Sequence, residues 1–166
     1  MLIIDKKEAI LWLSKHGLLD AEENLSFSGF LEPLSFVIPT NSGKKTVLSK
    51  MITSLFDVHD EALLWINEFG IWPSAEDWNL FESFRKSLGE HSQLFEKPYH
   101  IFSNKDLGSV GSLLSMVFYF YWGALVISPA KNLVIKISHD EVMEVFAKDK
   151  EHLSAIQERL NKILQP

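Results

Sequence analysis

The chain has no cysteine. That absence removes disulfides, thiolate metal sites and thiol nucleophiles together. It is also short of basic charge, with 16 Lys+Arg against 22 Asp+Glu and a formal net charge of -6. Nonspecific binding to nucleic acid or to an anionic membrane needs the opposite sign, so neither partner is expected. The apolar start Met1–Ile4 is followed at once by Asp5, Lys6, Lys7 and Glu8, which leaves no core for a signal peptide. Low-complexity stretches, charge blocks and long Pro/Ser-rich linkers are missing. There is no G-x-S-x-G elbow for serine chemistry. No two of the six histidines stand three or four apart, so no helix offers a two-histidine metal face. Neither a metal nor a cofactor is expected, and the expected location is cytoplasmic.

What remains is 166 residues, 46% hydrophobic and 23% charged. At roughly 150 residues per domain this is a single soluble globular domain over 1–166. Asp5 and Glu8 open a helix over Lys6–His16, and Gly17 stops it. Leu34–Ile38, closed by Pro39, reads as a strand. Val47, Leu48, Met51, Ile52 and Leu55 recur at helical spacing. Asp57 or His59 then starts a very apolar helix over Ala62–Phe69, and Ser74 and Asp77 open another containing Trp78, Phe81 and Phe84. Tyr99–Phe102 suits a strand, and Leu107 to Tyr121 a helix broken by Gly123. Residues 124–128 and 133–138 read as a hairpin across Pro129–Asn132. Ser138 and Glu141 form a capping box before a helix with Val142, Val145 and Phe146; a final helix carries Leu153, Ile156, Leu160 and Ile163. The expected class is α+β, mostly helical with a small sheet that includes the C-terminal hairpin.

The longest run without a charge is Leu107–Ala130, 24 residues. Its length meets the threshold for a membrane span. Gly123 and Pro129 break it, and the aromatics Phe118–Trp122 sit at its middle rather than at an interface. It therefore reads as a buried helix plus one hairpin arm, with Val110 to Ile127 at the centre of the core.

Gly43-Lys-Lys-Thr46 lies between a strand and a helix, as a phosphate loop would, but Ile38 and Lys45 stand where the pattern needs Gly and Ser/Thr. It is a polar loop whose lysines are expected to face solvent. Two candidate sites survive. One is the aromatic stretch from Trp65 to Arg85, with six aromatics in twenty residues. Trp and Arg dominate interface energies, so Trp72, Glu76, Trp78, Phe81 and Arg85 form a candidate binding surface. The other is an acid-base group of His139 and Asp140, with His59 and His100, assembled only in the fold.

The blocks Phe36-Val-Ile-Pro39-Thr-Asn-Ser-Gly43-Lys-Lys45, Leu64-Trp-Ile-Asn-Glu-Phe-Gly-Ile-Trp-Pro-Ser74, Lys97-Pro-Tyr-His100-Ile-Phe102 and Ser138-His-Asp-Glu141 resemble those of a family of small uncharacterised bacterial proteins. That family has Gly-His where Tyr99-His100 stands here. The resemblance implies a bacterial cytosolic protein and, by analogy, an accessory or toxin-neutralising role. The expected function is binding of another protein, and the alternative is an enzyme using the His139 and Asp140 group.

Overall fold

The structure, a computed structural model, describes residues 1–56, 60–70 and 78–164. Among these residues lie seven strands and five α-helices. The strands are β1 (Leu2–Ile4), β2 (Leu34–Val37), β3 (Ala62–Glu68), β4 (Tyr99–Phe102), β5 (Gly123–Ser128), β6 (Leu133–Ile137) and β7 (Val142–Ala147). The helices are α1 (Lys6–Lys15), α2 (Ser42–Thr53), α3 (Trp78–Ser87), α4 (Leu107–Phe120) and α5 (Lys150–Leu164).

The strands form one antiparallel sheet in the order β1-β4-β3-β5-β6-β7-β2. The expectation of a mostly helical domain with a small sheet is thereby corrected: the seven-stranded sheet is the frame on which the helices lie. Most of the error sits in two segments. Ala62–Glu68 is a strand, not a helix, because it pairs with β4 on one side and β5 on the other. A central strand buried on both faces is a continuous apolar run, which periodicity cannot separate from a buried helix. Val142–Ala147 is also a strand, paired with both β6 and β2. The Ser138–Glu141 capping box does not form. Those residues make a tight hairpin turn, closed by Ser138 N–H donating to Val142 O, with Glu141 at φ 63°. The Asp5–Glu8 capping box does form and opens α1.

Side chains alternate across the sheet with period two. From β3, Ala62, Leu64 and Ile66 join the larger core, and Leu63 and Trp65 the smaller. The larger core is filled from above by α2, α3, α4 and α5 through residues such as Leu48, Phe81, Val117 and Ile156. The smaller core is covered by α1 through Ala9, Trp12 and Leu13, and by the segment from Leu18 to Phe30. Both edge strands are short, and Pro33 and Pro39 flank β2. Short edges beside prolines discourage pairing with a further chain.

The uncharged run behaves as its breakers imply. Val110, Leu114, Val117 and Phe118 of α4 are buried, as is all of β5. Tyr121, in the left-handed conformation, ends the helix two residues before Gly123. Among the described residues no helix is long and apolar enough to cross a membrane. Lys45 corrects the expectation that the loop lysines face solvent. It is buried, donates to Phe118 O at 2.8 Å and lies 3.9 Å over the Tyr121 ring. A cation on the last carbonyls of α4 is favoured by the helix dipole.

Candidate functional site

Two constellations and one recess carry the polar chemistry of the described residues.

The first is built on α3. Its inward side carries Phe81 and Arg85, both with 0% exposure. Trp78 is half-buried and packs on Phe69 and Trp122. The expected surface of Trp78, Phe81 and Arg85 is corrected: Phe81 and Arg85 point into the protein, because an aromatic stripe at helical spacing faces the core first. Trp72 and Glu76, like His59, lie outside the described residues. Arg85 instead works as a staple. Its Nη1 donates to Glu82 (3.3 Å) and to Ser92 O (3.3 Å), and its Nη2 donates to Lys97 O (2.8 Å). Glu82 in turn accepts from Leu94 N–H. The pair thus pins the connection from Glu90 to Pro98 against α3. Burial lowers the Arg85 pKa, and the charges of Glu82 and Glu90 oppose that shift.

The outward side of α3 presents Leu80 at 59% exposure, half-buried Phe84 and, just past its end, Leu88 at 37%. These recur every four residues, so they line one ridge. Phe95, 60% exposed, lies on the stapled connection.

The second constellation surrounds His139. The register of β3 against β5 shifts between Ile66 and Glu68, placing Glu68 opposite Gly123. A Cβ at position 123 would overlap the Glu68 side chain, so glycine there makes room for it. Glu68 then reaches the β6–β7 turn, where its Oε2 accepts from His139 Nδ1 at 2.9 Å. His139 Nε2 lies 3.4 Å from Asp140 Oδ1. The hydrogen bond to Glu68 is the main reason the His139 pKa is raised. Both neighbouring carboxylates favour the protonated ring. The arrangement ties a turn to the end of β3.

His100 stands elsewhere. It faces Leu64 across β3 and β4, four residues before Glu68, which is about 13 Å along a strand. The structure therefore does not bring His100 and His139 together. His100 is fully buried, approaches Leu64 O through Nδ1 (3.4 Å), and its Nε2 has no partner among the described residues. Burial, reinforced by the nearby Arg85 charge, lowers its pKa to about 3. In the unfolded chain the group titrates near its ordinary 6.5. The unfolded state therefore binds a proton that the folded state refuses between those values. Stability is expected to be lost as pH falls from about 6.5 towards 3. His100→Gln should flatten that part of a urea-midpoint profile against pH; an unchanged slope would show that His100 is not its source.

The recess lies on the opposite face of the sheet, with a volume of about 410 Å³. Trp65, Tyr99 and Leu125 form its floor and Ala9, Ile10 and Leu13 of α1 one wall. Trp65 and Tyr99 pack with ring centroids 5.1 Å apart. The other wall is the turn from Leu19 to Leu25, which a bridge between those two residues closes. Among the described residues no cluster of three histidine or carboxylate side chains could hold a metal ion.

Comparison with family models, with curated proteins and with solved structures gives no match.

Proposed function

We propose that the chain acts by binding another protein, through the ridge of α3 and the connection stapled to it. The observation that carries this reading is the ridge itself: Leu80, Leu88 and Phe95 keep apolar surface in water, and half-buried Phe84 packs on the core between the two leucines. Isolated exposed leucines are ordinary, but an apolar group held on one rigid helix suits a partner surface. The net charge of -6 favours a partner with a basic rim. An accessory or neutralising role needs no chemistry beyond such a surface.

The test is capture from a lysate of the native host by the immobilised chain. A stoichiometric protein should be retained, and Leu80→Glu should reduce its retention at least ~10-fold, the effect of losing a hot-spot contact. Circular dichroism should show the variant folded, since Leu80 is exposed. Retention equal to that of the unaltered chain would remove the ridge from the interface.

A further inference from the structure

We propose that the β6–β7 turn is a proton-operated clasp: the doubly protonated ring of His139 locks it to the end of β3, and loss of the Nε2 proton frees its Asp140 side. The clasp shares no residue with the α3 ridge, so it stands or fails separately from the partner reading.

The contact is built into the sheet. Gly123 of β5 pairs with Glu68, and its neighbour Ala124 pairs with Ile137, so β5 lies between Glu68 and the turn. To meet His139, the Glu68 side chain must cross two strand spacings, about 9–10 Å. Two features of the chain permit that crossing. The register shift between Ile66 and Glu68 re-aims the carboxylate. Gly123 then leaves the space through which it passes, since a Cβ there would overlap Glu68 Oε2.

The two contacts of the ring are unequal. Nδ1 donates to Glu68 Oε2 at 2.9 Å, whereas Nε2 stands 3.4 Å from Asp140 Oδ1. A neutral imidazole keeps one N–H, and the shorter bond retains it at Nδ1. Nε2 then turns a lone pair towards the Asp140 carboxylate, and attraction becomes repulsion. Asp140 belongs to a small local network: its N–H donates to Ser138 Oγ at 3.1 Å, and its Oδ2 accepts from the same hydroxyl at 3.3 Å. The other flank of the turn is tied by backbone alone, with Ile38 N–H donating to Glu141 O at 2.7 Å. One flank is therefore fixed, and the other answers to a proton.

The surrounding charges agree in sign. Glu68 from β3 and Asp140 from the turn both favour the protonated ring, and Glu141 adds a further negative charge to the turn. Lys136 of β6 and Glu144 of β7 are paired with each other at 3.0 Å. β5 and β2 carry no charged residue. The bracing is thus fully present below the ordinary 6.5 and is lost as pH rises through the raised folded value. Its sense is opposite to that of His100.

The test uses the whole chain, labelled with nitrogen-15 and titrated from about pH 6 to about 9. Ring nitrogen shifts of His139 and solvent exchange of the Ser138 and Asp140 amides, both bonded within the turn, are read together. The neutral ring should carry its proton on Nδ1. Exchange of the two amides, relative to the intrinsic rate, should rise about three-fold with the midpoint of the ring, the size of an exposed charge pair. The Ile38 amide should not change. Asp140→Asn offers an amide donor to the bare Nε2, so it should abolish the rise. Glu68→Gln should lower the ring's midpoint further than Asp140→Asn does, and His139→Gln should keep the faster exchange at every pH. Constant exchange through the ring's midpoint, a neutral ring protonated on Nε2, or an equal rise in folded Asp140→Asn would each overturn the clasp.

Discussion

Replacing Arg85 by alanine is expected to destabilise the fold by ~3–5 kcal/mol, the usual cost of removing one member of a buried ion pair. The side chain is wholly out of water and makes bonds to Glu82, Ser92 O and Lys97 O. Its loss strands a buried carboxylate that also holds Leu94 N–H. It also leaves two carbonyls of the Glu90–Pro98 connection without their donor. Urea unfolding measures the cost. Arg85→Met with Glu82→Leu should recover only the part due to the stranded carboxylate, because Ser92 O, Lys97 O and Leu94 N–H still lack their partners. A single-variant loss below ~1 kcal/mol would mean that water replaces the guanidinium and that the staple is weak. Amide exchange should also quicken over residues 90–98, which links this result to the surface carrying Phe95.

Trp122→Ala should cost a similar ~3–5 kcal/mol, through lost transfer energy and the cavity left behind. Trp122 is fully buried between the end of α4 and β5 and touches the rings of Phe69, Trp78, Phe81 and Phe120. Its indole N–H has no partner among the described residues. Trp122→Phe keeps an aromatic ring and deletes that unpaired donor, so it should cost only ~1–2 kcal/mol. Equal losses in the two variants would show that indole volume alone is needed there. Loss of ellipticity in the near ultraviolet should accompany Trp122→Ala, since four other rings lose their neighbour.

The sequence by itself determined several breaks in the chain and much of the apolar surface that leaves water. The Asp5–Glu8 cap, the 133–137 hairpin arm and the burial of Val110, Val117 and Val126 follow from nearest neighbours and from hydrophobic pattern. These depend on local physics, which needs no knowledge of the rest of the chain. Val142–Ala147 has one polar residue, Glu144, so the alternating burial of the strand is not written in the sequence, and Ser138 and Glu141 at capping distance favoured a helix.

Tertiary structure decided the rest. Ala62–Glu68 became a strand because β4 and β5, both distant in sequence, satisfy its backbone. The same strand joins β1 and β4 on one side to β5, β6, β7 and β2 on the other in one seven-stranded sheet. It also decided how deep each residue of α3 lies. Phe81 and Arg85 are wholly buried and Leu80 is exposed; the aromatic stripe predicts the first, and only the stapled connection behind the helix explains a buried Arg85. The uncharged run shows the division most plainly. Its breakers, Gly123 and Pro129, are legible as local punctuation. That β5 has β3 and β6 on its two edges, and a core packed on each of its faces, is a fact of long-range structure that no local window contains.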